Sequence, residues 1–324
     1  MIKKMTTHRV LGWIFLSCVG LTCWTARSQP IQDSKAIEII LPFGAGSNIE
    51  KLLKTTAPYL EKELARPIQI RLVPGEGGSK GLAELLKSSQ DTDRIAFVPP
   101  RPLLVNPRVS QTAYKLADFQ PIAQLGVFYT GLVVPADSKW NSVEDFIKDA
   151  KQSPGKLTYA SGGEYSLAHL AMEAFLSSAN LHVKHAPYDN GNVAVQMVLN
   201  GQAEITMTDL QSQFGSDKKT KILAIASPTR VNTWPDVTTL RERGHNMNFD
   251  VWQGFITTKN TPANLVAKLE AALKNVTQMS DFKSTVTTST GATVLFMGSK
   301  DWADKWRQED LVFSEIITKL KSSK

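Results

Sequence analysis

The residues that could do chemistry here are small ones placed where helices begin. Gly44-Ala45-Gly46 follows an alternating apolar run, Ile37, Ile39 and Leu41, and Pro42, and leads to Ser47 and Asn48 just ahead of a helical pattern. This order reads as strand, glycine loop, helix N-terminus. Ser and Asn cap helices because their side-chain oxygens accept an orphan first-turn N–H. Glycine lets the backbone turn sharply and approach a ligand closely. Unpaired amides and the positive end of the helix dipole then face one point, which suits a carboxylate or phosphate. A tight turn with nothing bound is the other reading of the same residues. Two further glycine loops, Pro74-Gly75-Glu76-Gly77-Gly78-Ser79 and Ser161-Gly162-Gly163-Glu164-Tyr165-Ser166, also follow strand-like runs and precede helical ones.

Other chemistries fail on spacing. Gly44-Ala45-Gly46 lacks the third glycine of GxGxxG, Gly75-Glu76-Gly77 has Lys80 where it is needed, and neither loop matches GxxxxGK[ST], so no nucleotide or other cofactor is expected. Ser161 lacks the leading glycine of a nucleophile elbow, and no histidine with an acidic partner completes a triad. His182 and His185 are spaced like a metal pair, but strand alternation puts them on opposite faces, with no cysteine or carboxylate cluster nearby. No metal site and no enzyme activity are expected. Trp252, Trp302 and Trp306 read as core aromatics.

The elements that must position these loops alternate between β-type runs and helical patterns, the signature of an α/β fold with mixed, mainly parallel sheets. The first series runs from Ile37 through Ile68 to Val73 and Ile95 to Val98, with a fourth strand around Ile122 to Val134. Pro58 falls inside the first helical stripe, where it either kinks the helix or starts another. A second series begins at Asn141 with a Ser142/Asp145 capping box. It continues through Leu157 to Ala160, Val183 to Tyr188, Glu204 to Thr208 and Lys221 to Ala226, with strand character returning near Phe249 to Ile256. Two terminal helices are expected, Pro262 to Gln278 and Asp301 to Leu320. This gives two α/β lobes, 29–126 and 127–248, with 249–324 returning to the first. Two crossings make a hinge, which favours a cleft that closes on a ligand.

Residues 1–28 read as a signal peptide: Lys3, Lys4, His8 and Arg9, then an uncharged run from Val10 to Trp24, then Ala26-Arg27-Ser28. Residues Phe15 to Ser17 and Gly20 to Thr22 fit a lipobox poorly ahead of Cys18 and Cys23, so an exported, periplasmic chain is favoured over a lipid-anchored one. Loss of this leader takes both cysteines and four basic residues, and the formal charge falls from +7 to +3. A chain without thiols must be held by its apolar core. So modest a charge points to no nucleic-acid partner.

In this order the loops resemble the extracytoplasmic receptors of tripartite tricarboxylate transporters, the Bug receptors. The resemblance rests on Leu41-Pro42-Phe43-Gly44-Ala45-Gly46, Pro74 to Ser79, Asn106-Pro107 with Tyr114, and Asp118 to Ala123. It continues through Pro154 to Tyr159, His169-Leu170, Pro187-Tyr188, Leu199 to Gln202, Trp234 to Leu240 and Thr261-Pro262. It implies a monomeric, two-lobed Venus-flytrap receptor that closes on a small carboxylate and passes it transiently to membrane permease subunits. The implied ligand contacts are Phe43, Gly44, Ala45, Gly46 and Ser47 on one lobe, and Gly163, Glu164, Tyr165, Ser166 and His169 on the other, bordered by Thr208 and Asp209. The same fold serving a membrane sensor kinase, or an exported hydrolase using His169 and Asp209, are the alternatives.

The chain departs from the family pattern in ways that bear on the ligand. Ser47 stands for a second glycine, Glu50 for Asp, and Leu72-Val73 for a polar pair. Pro99-Pro100-Arg101 replaces a small hydroxyl-rich stretch, and Glu164-Tyr165 a small polar and glycine pair. Arg101 would attract a carboxylate and Glu164 repel one. If both face the cleft, they would select a ligand with both charges, or with an amide or aromatic group beside its carboxylate.

Overall fold

Both faces of the opening strand are buried, and this decides the layering. In β1 (Ile37–Leu41), Ile37 and Ile39 enter one apolar cluster and Ile40 a second, on the opposite face. A strand covered on both faces belongs inside a layered α/β unit. The structure is a computed structural model and describes residues 35–87, 93–210 and 219–322. The expected leader, with Cys18 and Cys23, lies outside the described residues.

The first sheet runs β11-β4-β10-β3-β1-β2. Strands β1, β2 (Ile68–Leu72) and β3 (Arg94–Val98) are parallel, and β10 (Val251–Thr258), β4 (Phe119–Phe128) and β11 (Thr293–Gly298) extend it antiparallel. The second sheet runs β7-β6-β8-β5-β9. In it β6 (Thr158–Ser161) is parallel to β7 (Lys184–Pro187) and β8 (Ile205–Asp209), while β5 (Thr130–Pro135) is antiparallel to β8 and β9 (Thr220–Ile225). The parallel share is smaller than the alternation suggests, because each sheet is completed by strands from the crossings and the chain end.

Helices fill the connections. In the first series α1 (Asn48–Leu64) follows β1 and α2 (Ser79–Leu86) follows β2, while a π-helical turn, Arg101–Val105, and the short α3 (Asn106–Val109) follow β3. In the second, α4 (Val143–Gln152), α5 (Leu167–Ala179) and α6 (Gly191–Leu199) stand before β6, β7 and β8. Pro58 lies within one continuous α1 rather than dividing it.

The expected strand from Ile122 to Val134 is two strands in different sheets, separated by Tyr129 alone. Both strands are buried almost throughout, Gln124 and Thr130 included, so the hydropathy pattern gives no clear sign of the change of sheet. The chain returns between β9 and β10, and the two crossings are tied where Thr130 Oγ1 donates to Phe249 O at 2.6 Å.

The C-terminal region holds more than two helices. Between α7 (Ala263–Gln278) and α9 (Ser299–Ser322) lie α8 (Ser280–Thr290) and β11. The α8 segment is rich in Ser and Thr, which lack helix propensity. Tertiary burial of Phe282 and Val286 holds it instead, with Thr290 Oγ1 bonding back to Val286 O at 2.7 Å. Trp302 and Trp306 of α9 meet Trp252 of β10 in a buried cluster, with Trp252 and Trp302 ring centroids 5.0 Å apart at 86°. Among the described residues no helix is long and apolar enough to cross a membrane.

Candidate functional site

In open α/β sheets ligands bind outside the carboxyl ends of the parallel strands. In the first sheet three connections leave that edge. The loop after β1 is closed by Ser47, whose Oγ accepts Glu50 N–H at 3.3 Å. Glu50 in turn accepts Gly46 N–H at 2.6 Å and pairs with Lys54 at 2.7 Å, and these two contacts, with the Lys54 hydrogen bond foremost, hold its carboxyl below the usual range. Gly46 N–H is therefore engaged by Glu50 in this structure. The amides of Gly44, Ala45 and Ser47 donate to no acceptor among the described residues.

The second loop is folded by Asn106, whose Nδ2 donates to Glu76 O, Gly77 O and Ser79 Oγ at 3.2, 3.0 and 2.9 Å. Gly78 adopts φ 98°, and a Cβ there would lie 2.9 Å from Pro102 Cβ and 3.4 Å from Phe43 Cζ. Phe43, Gly78 and Pro102 thus bring the three loops together. Arg101 lies in this cluster, its Cζ 3.7 Å from where a Cβ on Gly77 would stand. Among the described residues its Nε is shut away with no acceptor, and no ion pair holds the guanidinium. Burial alone, with no acid offsetting it, lowers its pKa from the ordinary value.

In the second sheet Ser166 caps α5, its Oγ accepting His169 N–H at 3.1 Å. The loop before it turns at Gly163, φ 107°, and at Tyr165, which holds φ 55° although it carries a side chain. Tyr165 N–H donates to His169 Nδ1 at 2.9 Å. His169 is buried, 4% exposed, and packs inward, so its ring positions the loop from behind. Glu164 is exposed. Thr208 is buried, its Oγ1 3.6 Å from where a Cβ on Gly191 would stand, and Asp209 ends β8 opposite Thr130. A third corner completes this edge: Asn190 caps α6, Oδ1 accepting Val193 N–H at 3.0 Å, and packs on Gly162. The sequence reading named Asn106 only as part of the family pattern and gave neither it nor Asn190 a role in shaping the site. Asn190-Gly191, between a strand and a helix, carries an N-cap signature, whereas Asn106 acts across 30 residues and leaves no local trace.

The two edges meet at a cavity of about 50 Å³ lined by Pro100 from the first, Leu167 from the second, Asn248–Val251 from the returning crossing, and Glu309, Val312 and Phe313 of α9. A larger groove, about 1170 Å³, runs between α5 and α9. Neither is lined by a residue expected in the site, but the small one touches the immediate neighbours of Arg101 and Ser166. Among the described residues no group of three or more His, Cys, Asp or Glu side chains could hold a metal ion.

Known proteins place this architecture. A UPF0065 protein of Pseudomonas sp. strain P51 is 27% identical over 282 residues, 84% of this chain and 82% of that one. A ligand-free TctC solute-binding protein from Polaromonas superposes with TM-score 0.78 at 26% identity, over 89% of this chain and 99% of the other. A Rhodopseudomonas palustris protein solved with adipate has the same fold, TM-score 0.75 at 19% identity, over 88% of this chain and 97% of its own. The model of the tripartite tricarboxylate transporter family receptor matches residues 52–321, and the chain belongs to that family.

Proposed function

We propose that this chain is a periplasmic receptor that closes on a small carboxylate and presents it to the membrane subunits of a tripartite tricarboxylate transporter. The observation that carries the reading is the pair of serine-capped helix N-termini, Ser47 of α1 and Ser166 of α5, each at the carboxyl edge of its sheet. First-turn amides and the helix dipole favour an anion at such a place. The unbonded amides of Gly44, Ala45 and Ser47 are the donors on the first lobe. On the second they are the loop at Gly163 and the first turn of α5. Tyr165, Glu164, Thr208 and Asp209 border the space, and His169 holds the second loop in shape. The lobes are built on the two sheets, β1–β4 with β10 and β11 in one and β5–β9 in the other, hinged at Tyr129 and at the return through Asn248–Asp250. The adipate carried by the Rhodopseudomonas protein agrees with this ligand class.

The test is mass spectrometry of the small molecule that co-purifies with the native protein, with a thermal-shift panel of mono-, di- and tricarboxylates, amino acids and aromatic acids. A carboxylate should co-purify, and the same compound should raise the melting temperature. Turnover of a panel compound, or a shift from uncharged compounds alone, would refute the reading.

A further inference from the structure

Three charged side chains, Asp250, Lys305 and Glu309, sit where the chain crosses back between the lobes, and two of them are acids. We propose that Glu309 is a proton-binding site coupled to ligand capture, taking a proton from solvent as the lobes close on an anion and returning it as they open. This rests on the carboxylate-receptor reading.

Lys305 of α9 reaches Asp250 on the returning crossing at 3.0 Å and Glu309, one turn along its own helix, at 3.6 Å, and its Nζ also donates to Gln124 of β4 at 3.4 Å. One ammonium thus serves two carboxylates, and Asp250 holds the closer share. The side chains of Asp250, Lys305 and Glu309 are 6%, 15% and 21% exposed, so Glu309 is the member whose hydration lobe closure can still remove. It lines both the small cavity where the lobes meet and the larger groove outside, which gives its carboxyl a route to solvent. Pro100 and Leu167 face the same cavity from opposite lobes. Closure draws them together, thins the water at Glu309 and brings a negative guest to that edge. Both changes disfavour a carboxylate there, so both favour proton uptake. The proton goes to Oε1, since Oε2 accepts Trp252 Nε1–H at 2.6 Å, and Lys305 keeps Asp250. Burial, opposed by Lys305 and helped by the Asp250 charge, already raises the Glu309 pKa to about 7, so a further rise moves it across neutrality. Around the cluster, Tyr129 at the first crossing is kept a neutral phenol by burial and the Asp250 charge. Glu173 and His182 stand on the α5 wall of the groove, Glu173 bonded by the Tyr159 hydroxyl. Along α9, Asp304 and Glu315 pair with Arg307 and Lys319, and Asp301 lies one turn before Lys305.

The test counts protons by calorimetry. Wild type and Glu309→Gln are titrated with adipate, and with each further carboxylate of the thermal-shift panel, in phosphate and in Tris, whose different ionisation enthalpies expose any proton exchanged. Wild type should take up about 0.4 of a proton per carboxylate bound at about pH 7, the share for a group that titrates near 7 and rises by one unit on closure. Its affinity should fall roughly fivefold to tenfold between about pH 6.5 and about pH 9, a span in which adipate stays ionised. Glu309→Gln still accepts the Trp252 N–H and cannot titrate, so its affinity should be flat over that span and its proton uptake lost. The wild-type count and its pH profile stand even where the variant does not fold. Binding by wild type with no proton exchanged, or with one released, would overturn the coupling and leave the receptor intact. A Glu309→Gln chain that keeps the wild-type uptake would also overturn it, by placing the proton elsewhere. A wild-type chain that binds no carboxylate in the panel would remove the reading beneath it.

Discussion

The imidazoles of His169 and His185 stack with ring centroids 3.9 Å apart and planes 19° apart, joining α5 to β7 beneath the second glycine-lined corner. His185 stacks in turn on Tyr159 at 4.8 Å and meets Ser161 Oγ through Nε2 at 2.7 Å. Tyr159 donates its hydroxyl to Glu173, whose carboxyl burial pushes above the ordinary range. The candidate loop therefore rests on a buried polar stack.

The stack predicts a division of labour at His169. Its Nδ1 accepts Tyr165 N–H, and Tyr165 is held at φ 55°, a strained region for a residue with a side chain. Replacing His169 by Phe keeps a ring against His185 but removes the acceptor. The Tyr165 amide should then lose roughly tenfold of its hydrogen-exchange protection, the scale of one lost hydrogen bond, and carboxylate affinity should fall with it. Unchanged exchange at Tyr165 would show that the loop holds itself.

Gly162 predicts a steric effect on the same edge. A Cβ there would come within 2.8 Å of Gly191 N and 3.0 Å of Asn190 C, both backbone atoms that cannot swing aside. Gly162→Ala should push the β6 loop from the α6 N-terminus, lowering stability by about 1–3 kcal/mol and weakening carboxylate binding. Gly44→Ala, where a Cβ meets nothing within 4 Å, is the matched control. Equal behaviour of the two variants in urea denaturation would refute the packing argument.

The two caps predict an additive pair. Ser47 and Ser166 each satisfy one first-turn amide, in helices belonging to different sheets. Each Ser→Ala change should cost about 1 kcal/mol, and the double variant about the sum. Non-additive urea midpoints would mean that the two corners already interact in the unliganded chain.

What the sequence disclosed follows from the range over which each signal acts. Caps at Ser47 and Ser142 were legible because the capping side chain and its amide lie three residues apart. The His169–His185 stack and the Asn106 clasp were not, since each joins segments that only the fold brings together. Helix α8 was hidden because its Thr and Ser residues carry no local helix signal and Phe282 and Val286 act through burial. The commitment of Gly46 N–H to Glu50 was half visible: the Ser47-to-Glu50 spacing matches a capping box, yet the acid reaches one residue further back.

The hinge predicts a pH dependence. Glu309 Oε2 accepts Trp252 Nε1–H at 2.6 Å, and Oε1 stands 3.6 Å from Lys305 Nζ, which also pairs with Asp250 at 3.0 Å on the returning crossing. Loss of hydration raises the Glu309 pKa from 4.5 to about 7. Lys305 and the Trp252 bond oppose the rise, and the Asp250 charge adds to it. Between these two values the folded chain holds a proton that the unfolded chain has released. Its contribution is thus fully present below about pH 4.5, declines as pH rises toward 7, and is flat above. The full span is roughly 3 kcal/mol. Glu309→Gln keeps an acceptor for Trp252 and cannot titrate. Urea midpoints from about pH 5 to about pH 8 should fall for wild type relative to the variant. A difference that stays constant across that range would mean that Glu309 is ionised throughout, held by Lys305 against its burial.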